Sequence, residues 1–255
     1  MLLAVDVGNT NLTIGLFDGT RRLADWRLKT DLEQTVDGWA ALFHNLLSLE
    51  DFRMADVSGF VLSSVVPQLD ASISAMAGRY LQLEPFQVTA STQTGLGIHV
   101  DKPEEVGADR IVNSVAAAER YGCPCIAVDF GTAITFDAIS PNREYLGGII
   151  CPGIQVSSQA LVRRTARLPQ IDLRRPSSVI GKNTVGSLQS GFYYGMLGMV
   201  DGILDRMLDV LGRETAVVAT GGQASILSPA SHFVQTVDDG LTLEGLRLIW
   251  DLNRR

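Results

Sequence analysis

The sequence predicts an α/β protein made of two similar domains. Short apolar segments that suit buried strands alternate with longer segments whose apolar residues recur at helical spacing. A strand–turn–strand pattern around Asp6 also returns around Asp129, and such internal repetition indicates two copies of one structural unit. We place the first domain at residues 1–119 and the second at residues 120–255.

In the first half, strands and helices follow one another in a regular order. An apolar strand leads into Asp6, and a second strand runs from Leu12 to Phe17. The pattern then predicts, in order, a helix at 34–49, a strand at 59–66, a helix at 69–81, a strand at 86–89, a loop at 90–106 and a helix at 111–121. This order is typical of an α/β layer with some parallel strand pairing.

The second half begins with the repeated hairpin, at residues 126–139. Beyond it, the pattern predicts a strand at 145–150, a helix at 154–165, a loop at 169–182, a long helix at 183–211, a strand at 216–219, a turn at 220–222 and a closing helix at 241–253.

Charge and composition argue against several classes of protein. The chain has 255 residues, a formal net charge of −7 and no run of Lys or Arg, which argues against a non-specific nucleic-acid binder. No apolar stretch reaches membrane-spanning length, and the N-terminus lacks the basic and apolar regions of a signal peptide. We therefore expect a cytoplasmic enzyme without a nucleic-acid or membrane partner.

The cysteines and histidines give no support to a zinc centre. Cys123 and Cys125 are separated by one residue rather than by the two of a redox or zinc motif, and Cys151 makes the count odd. The three histidines form no HExxH pattern. We expect reduced thiols in or near the core.

The turn after Asp6 contains residue types that suit phosphate and metal ions. Gly8 lets backbone N–H groups approach an oxyanion, Asn9 and Thr10 add polar groups, and Asp6 can face a cation. An ordinary hairpin with a polar turn fits the same residues, so this stretch alone leaves both interpretations open.

The repeat favours the phosphate-binding interpretation. The matched pairs are Asp6 with Asp129, Gly8 with Gly131, Thr10 with Thr132, and Thr13 with Thr135. Two such turns imply two domains that face each other, with a nucleotide in the cleft between them and one turn from each side on its phosphates. The chain has no GxxxxGK[ST] loop, no GxGxxG after a strand and no protein-kinase HRD or DFG set.

Asp109 is the candidate general base for a phosphoryl transfer. It lies at a helix N-terminus, where we expect the helix dipole to stabilise the ionised carboxylate and so to keep its pKa low. The guanidinium of the neighbouring Arg110 suits an anionic substrate group. The alternative is that both residues only cap the helix and face solvent.

The long predicted helix has glycines on one face, at Gly191, Gly195, Gly198 and Gly202. Each glycine costs roughly 1 kcal/mol of helix propensity relative to alanine, so a row of them needs a compensating contact. Charged residues in the same helix argue against a membrane dimer. We expect the face to pack on another helix, either across a homodimer or within the chain.

Seven short motifs occur in a fixed order along the chain. They are Asp6-Val-Gly-Asn-Thr10, Ser63-Ser-Val-Val-Pro67, Pro103-Glu-Glu-Val-Gly-Ala-Asp-Arg110, Asp129-Phe-Gly-Thr-Ala133, Gly147-Gly-Ile-Ile-Cys-Pro-Gly153, Gly181-Lys-Asn-Thr184 and Thr220-Gly-Gly222. In this order they resemble the type III pantothenate kinases, of the acetate and sugar kinase/heat-shock chaperone/actin superfamily. The Asp-x-Gly turns alone indicate the superfamily; the Gly-Ala-Asp-Arg and Gly-Lys-Asn-Thr segments point to the kinase.

The resemblance implies two actin-like (ribonuclease H-like) domains with a nucleotide cleft between them. It also implies transfer of the ATP γ-phosphate to the primary hydroxyl of pantothenate, which gives 4′-phosphopantothenate and opens coenzyme A synthesis. Its implied cofactors are ATP with Mg²⁺ and a monovalent cation, K⁺ or NH₄⁺. Its implied assembly is a homodimer.

The resemblance further implies a role for individual residues. The catalytic base is Asp109. The ATP-binding residues are Asp6, Val7, Gly8, Asn9, Thr10, Asn11, Leu12, Thr13, Thr132, Thr220, Gly221 and Gly222. The pantothenate-binding residues are Val100, Gly107, Ala108, Asp109, Arg110 and Thr184, the last contributed by the second subunit. Asp129 helps to bind the monovalent cation, and Asp6 is expected to face magnesium.

One position departs from a common pattern of the family. Many members have a tyrosine shortly before the Pro-Glu-Glu-Val segment, where it lines the pantothenate pocket, and here Val100 takes the aligned position. We therefore expect Val100 to form part of the pocket wall.

Two other functions fit part of this pattern. The first is a regulatory protein, a transcription accessory factor that binds ATP without kinase turnover; the complete set of Asp6, Asp109, Arg110 and Asp129 argues against it. The second is a kinase or ATPase of the same superfamily that acts on a sugar or acetate. The Gly-Ala-Asp-Arg and Gly-Lys-Asn-Thr segments argue against that.

Overall fold

Two mixed β-sheets, one in each of two compact units, organise the chain. The structure is a computed structural model, and it describes residues 1–254. The first unit comprises residues 1–96, 101–116 and 240–254, and the second comprises residues 97–100 and 117–239. The predicted α/β class and the presence of two similar sheets are confirmed.

The elements alternate along the chain as the sequence predicts. The strands are β1 (Leu2–Val7), β2 (Asn11–Asp18), β3 (Arg21–Lys29), β4 (Gly59–Ser64), β5 (Phe86–Gln87), β6 (Gly97–Ile98), β7 (Cys125–Phe130), β8 (Ala133–Ile139), β9 (Glu144–Pro152), β10 (Ala216–Thr220) and β11 (Thr236–Val237). The helices are α1 (Val36–Leu49), α2 (Pro67–Met76), α3 (Ala108–Tyr121), α4 (Ile154–Arg163), α5 (Thr184–Leu211), α6 (Ala224–Leu227) and α7 (Leu241–Asn253).

The first sheet has the strand order β3-β2-β1-β4-β5. Strand β1 pairs antiparallel with β2 and parallel with β4. Strand β3 was not predicted, because charged residues interrupt its apolar ones and its burial alternates between exposed and partly buried positions. At the edge of the sheet this strand is stabilised by its pairing with β2 and by Leu23, Trp26 and Leu28, which pack partly buried against the core.

The second sheet has the order β11-β10-β7-β8-β9-β6. Strand β7 pairs antiparallel with β8 and parallel with β10, just as β1 pairs with β2 and β4. The repeat seen in the sequence is therefore a repeat of strand pairing as well. Strands β6 and β11 were not predicted; each has two residues, too few for a periodic signal, and backbone hydrogen bonds to a neighbouring strand define them.

The C-terminal helix α7 packs within the first unit. Its Trp250 is buried and meets Phe86 of β5 edge to face, with 6.2 Å between ring centroids. Gly245 approaches α3 so closely that a Cβ there would lie 2.1 Å from the carbonyl oxygen of Val112. Residues 240–254 therefore group with the first unit, although the predicted range 120–255 placed them in the second. The domain limits 1–119 and 120–255 remain a prediction from the sequence.

Helix α5 exposes the glycine face that the sequence analysis identified. A Cβ built on Gly191, Gly195 or Gly198 meets nothing within 4 Å, and one on Gly202 meets only Arg206 of the same helix. The expectation that another helix of this chain covers the face is therefore wrong for the described residues. Across residues 1–254, no helix combines the length and the apolar character that crossing a membrane requires.

Candidate active site

Asp6 lies at the end of β1, between hydroxyl-bearing residues of both neighbouring strands. The register pairs it with Thr13 of β2 and with Ser63 of β4. Ser63 Oγ donates a hydrogen bond to Asp6 Oδ1 at 2.5 Å. Because a partly buried carboxylate must be solvated by the protein, this hydroxyl orients Asp6 and offsets part of its desolvation.

The turn that follows Asp6 is closed by backbone hydrogen bonds. Gly8 N donates to Asn11 O at 3.0 Å, while Thr30 braces the turn from the end of β3. Thr30 Oγ1 donates to Gly8 O at 2.6 Å, and Thr30 N donates to Thr10 O at 3.0 Å. Sequence reasoning missed Thr30, since nothing in its local sequence indicates a contact with residues twenty positions earlier.

The predicted phosphate-binding residues of this turn divide into exposed and buried side chains. Asn9, Thr10 and Asn11 are exposed, so their side chains lie at the solvent-accessible tip of the turn. The side chains of Val7 and Leu12 lie in the hydrophobic core. Only backbone groups at these two positions remain for the predicted ATP contacts.

The second turn, after Asp129, has the same construction. Asp129 at the end of β7 is paired with Thr135 of β8 and Thr220 of β10, and Gly131 N donates to Ala133 O at 3.0 Å. The pairing of Asp129 with Thr135 reproduces that of Asp6 with Thr13, as the sequence match predicts.

The start of α4 packs directly on this second turn. Gly153 N donates to Thr132 O at 3.0 Å, and a Cβ on Gly153 would lie 2.3 Å from the same oxygen. Only glycine fits here, which gives a structural reason for the Cys-Pro-Gly segment. The Thr132 side chain remains exposed.

The structure brings the segment Thr220–Gly222 to Asp129. Gly221 has φ +92°, a conformation that favours glycine, and a Cβ there would lie 2.3 Å from Asp129 Oδ1. Thr220 itself is buried. Three predicted positions of the second unit, Asp129, Thr220 and Gly221, therefore form one cluster.

Asp109 lies in the first turn of α3, as predicted, and Gly107, Ala108 and Arg110 beside it are partly buried. Its Oδ1 accepts a hydrogen bond from Arg110 N at 2.8 Å. Burial nevertheless raises the pKa of the Asp109 carboxyl, because desolvation outweighs the backbone hydrogen bonds and the charge of Arg110. The expectation of a lowered pKa is therefore wrong, and the raised pKa makes Asp109 a stronger base.

The remaining predicted substrate residues, Val100 and Thr184, belong to the second unit. Val100 Cγ1 would lie 3.5 Å from a Cβ on Gly147, which places Val100 beside the Gly147-Gly148 motif. Thr184 is exposed at the first position of α5. Asn183 caps that helix, and its side chain accepts a hydrogen bond from Gly186 N at 2.8 Å.

The carboxylates fit a metal that is held mainly by its substrate. Among the described residues, no group of three or more His, Cys, Asp or Glu side chains is placed to hold a metal ion. A single carboxylate such as Asp6, next to exposed polar groups, instead suits Mg²⁺, which keeps several waters and binds through substrate phosphates.

Comparisons with known proteins give a consistent result. A family model described as type III pantothenate kinase matches residues 2–206. A type III pantothenate kinase of Koribacter versatilis is 50% identical over 264 residues, covering 100% of this chain and 96% of that protein. A type III pantothenate kinase of Solibacter usitatus is 50% identical over 253 residues, covering 99% of this chain and 97% of that protein.

A solved structure is similar across almost the whole fold. It is that of a Campylobacter jejuni protein described as belonging to the Baf family of transcriptional activators, with a TM-score of 0.61, 19% identity and coverage of 98% of both chains. At that identity the similarity concerns the fold alone.

The raised pKa of Asp109 predicts how its removal changes stability with pH. In the unfolded chain this carboxyl ionises at its ordinary pKa, whereas in the folded chain it ionises at a higher pH. Its ionisation therefore lowers the free energy of unfolding as pH rises from about 3.9, the ordinary Asp value, through the raised value. We expect Asp109→Asn to be more stable than the parent at pH 7 and to lose this advantage in acid, measured as urea midpoints across pH. Glu104→Gln, an exposed carboxylate nearby, should show no such gain; an Asp109→Asn that is less stable at every pH would contradict the assignment.

Proposed function

Because this chain belongs to the type III pantothenate kinase family, we propose a division of the kinase reaction among its residues. The chain is an ATP-dependent phosphotransferase with an alcohol acceptor, and it converts pantothenate to 4′-phosphopantothenate, the first step of coenzyme A synthesis. Its fold is of the two-domain actin-like class. The observation that carries the catalytic assignment is the desolvated carboxylate of Asp109.

Asp109 accepts the proton of the pantothenate hydroxyl. As the hydroxyl oxygen forms its bond to the γ-phosphorus, the bond from that phosphorus to the β-γ bridging oxygen breaks, ADP leaves, and the hydroxyl proton passes to the Asp109 carboxylate. The raised pKa supports this role, because a carboxylate that binds a proton more readily is a better base. Arg110 holds the pantothenate carboxylate with its guanidinium fork.

The turn after Asp6 cradles the ATP phosphates. Asn9, Thr10 and Asn11 contribute exposed polar groups, and backbone N–H groups between Val7 and Thr13 complete the cradle. The family implies that ATP is accompanied by a divalent metal, and Mg²⁺ there neutralises phosphate charge. Asp6, which Ser63 orients, faces that ion.

Residues of the second unit contact ATP and its nucleoside and bind a monovalent cation. Thr132 contacts ATP with its exposed hydroxyl, and Thr220, Gly221 and Gly222 lie by the nucleoside. Asp129 binds K⁺ or NH₄⁺. The close approach of Gly221 to Asp129 supports neighbouring positions for the nucleoside and the cation, since the residues assigned to them belong to one cluster.

The pantothenate pocket is completed by a second copy of the chain. Val100, Gly107 and Ala108 line the pocket, and Thr184 of the partner subunit closes it. The open glycine face of α5 supports a homodimer, because a row of helix glycines that no other element of residues 1–254 covers suits close approach by an identical helix. We place the enzyme in the cytoplasm, without nucleic-acid or membrane partners; the free thiols of its three cysteines agree with a reducing compartment.

A regulatory role without turnover is the less favoured reading. The family membership is that of a kinase, and the base, the phosphate-binding turn and the second carboxylate are all present as residues. The Baf description belongs to a protein of 19% identity and informs the fold only.

A coupled assay of ADP formation tests the function directly. With purified protein, Mg-ATP and pantothenate, we expect turnover that depends on pantothenate and rises when K⁺ or NH₄⁺ is added to a Na⁺ buffer. The Asp129→Asn variant should lose most of this stimulation. Absence of pantothenate-dependent turnover with both cations supplied would favour the regulatory reading, and equal rates in K⁺ and Na⁺ would remove the cation assignment alone.

Replacement of the base should affect the rate more than binding. We expect Asp109→Asn to lower kcat by at least ~10²-fold, the low end for removal of a general base, with little change in the KM for ATP. Glu104→Gln, which removes an exposed carboxylate of the same sequence motif, serves as the matched control and should keep the parent rate. An Asp109→Asn enzyme with full turnover would show that another group takes the proton.

The homodimer is tested by adding bulk to the open glycine face. Gly195→Leu should weaken dimerisation by at least about fivefold, because overpacking a close contact costs roughly 1–3 kcal/mol. Sedimentation velocity across protein concentrations measures the change. Gly78→Leu is the matched control, since Gly78 also has open space around it but lies in the first unit. A monomeric parent, or a Gly195→Leu dimer as tight as the parent, would contradict the proposed interface.

A further inference from the structure

Positive charge is concentrated in one segment of this acidic protein. Residues 163–182 contain six cationic side chains and a single carboxylate, Asp172, in a chain whose formal net charge is −7. The six cations are Arg163, Arg164, Arg167, Arg174, Arg175 and Lys182. Such asymmetry makes this segment the natural place for an anion to bind.

In the part of the chain that the structure describes, these cations form no ion pairs. Elsewhere in the second unit, Arg120 pairs with Asp238, and Arg213 pairs with Asp205. Within residues 1–254, by contrast, none of the six cations of residues 163–182 has a carboxylate within ion-pair distance. Their charge is therefore available to a ligand.

Three of the six cations meet in one cavity. Arg174, Arg175 and Lys182 line a cavity of about 620 Å³, together with the hydroxyl residues Ser177 and Ser178. The described residues that line it include no carboxylate. The volume lies within the range of roughly 300–1,000 Å³ typical of small-molecule sites.

The wall of this cavity is anchored to helix α5, although residues 164–182 belong to no helix or strand. Gln189 Nε2 donates to Asp172 O at 3.4 Å, and Ser190 Oγ donates to Val179 O. Both anchoring side chains are buried. Gly181 lies so close to α5 that a Cβ there would come within 2.2 Å of Ser187 N. The loop that carries the cations is therefore held against α5 by the side chains of Gln189 and Ser190 and by the close approach of Gly181.

We propose that this cavity binds a small molecule that has two or more phosphate groups. Guanidinium groups bind phosphate oxygens in pairs, an ammonium adds a further charge, and serine hydroxyls donate to the same oxygens. Three cations without a carboxylate match the charge of a di- or triphosphate. The concave shape and the acidic remainder of the chain disfavour duplex nucleic acid.

The proposed site goes beyond the kinase reaction and uses none of the residues assigned to it. Its ligand has two sources with the same chemistry: the nucleotide that the kinase consumes, or a different phosphorylated metabolite that acts on the enzyme. The binding experiment does not require turnover, so its failure is distinguishable from failure of the proposed kinase function.

Titration calorimetry with sodium tripolyphosphate, in magnesium-free buffer at physiological salt, tests the site on the full chain. The parent should bind the probe, and the variant Arg174→Gln/Arg175→Gln/Lys182→Gln should bind it at least about tenfold more weakly, a change of roughly 1.4 kcal/mol. Tripolyphosphate held at the turn of Asp6 is untouched by these substitutions, so the difference between the proteins isolates the cavity.

The matched control removes the same charge from the same segment outside the cavity lining. Arg163→Gln/Arg164→Gln/Arg167→Gln should keep affinity close to the parent, because these exposed arginines do not line the cavity and solvent-exposed charges are screened at this salt. Equal thermal unfolding of the three proteins confirms that all are folded. Equal loss in both variants, no loss in the cavity variant, or no binding by the parent would each overturn the proposal, as would preferential binding of duplex DNA.

Competition then identifies the source of the ligand. Displacement of tripolyphosphate from the cavity by a non-hydrolysable ATP analogue, with a raised KM for ATP in the cavity variant, assigns the site to the nucleotide of the reaction. Simultaneous binding of both ligands, with an unchanged KM, assigns it to another phosphorylated metabolite.

Discussion

A carboxylate at the end of a central strand, followed two residues later by a glycine turn, is the constraint on which both units depend. Asp6 and Asp129 occupy equivalent places, each between an antiparallel and a parallel neighbour strand. A partly buried carboxylate is tolerated there only with polar neighbours, and Ser63 and Thr220 stand at the matching positions of the parallel strands. The turns are then closed by the N–H groups of Gly8 and Gly131, which leaves polar groups at the tip for a ligand.

The carboxylates of the candidate site differ in environment, and each environment suits a different proposed role. Asp6 accepts a hydrogen bond from a neighbouring hydroxyl, which suits a carboxylate that faces a cation. Asp109 is desolvated and has a raised pKa, which suits a proton acceptor. Burial of ionised Asp109 costs stability at neutral pH, so the fold gives up stability at the position that we propose for the base. Thr30 shows a further dependence, since a residue outside every recognised motif holds the first turn closed.

Much of the fold and the outline of the site could be predicted, and the failures share one cause. Periodicity located the long helices α1, α3 and α5 and the strands that flank each Asp, because these signals are local. Strand β3 and the two-residue strands escaped because pairing with distant residues defines them. Helix α7 was predicted correctly as a helix. Its partners, Phe86 and Val112, lie far away in sequence, so the local sequence of α7 could not predict its grouping with the first unit.

The sequence by itself determined the α/β class, the repeat of the Asp-x-Gly turn and the motifs that mark the family, because these depend on residue types and short spacings. Only the tertiary structure decided the direction of the Asp109 pKa, since the degree of desolvation is set by atoms that surround the carboxyl from elsewhere in the chain. The same holds for the open glycine face of α5 and for the cavity that gathers Arg174, Arg175 and Lys182. In each case spacing identifies the side chains, and packing determines what surrounds them.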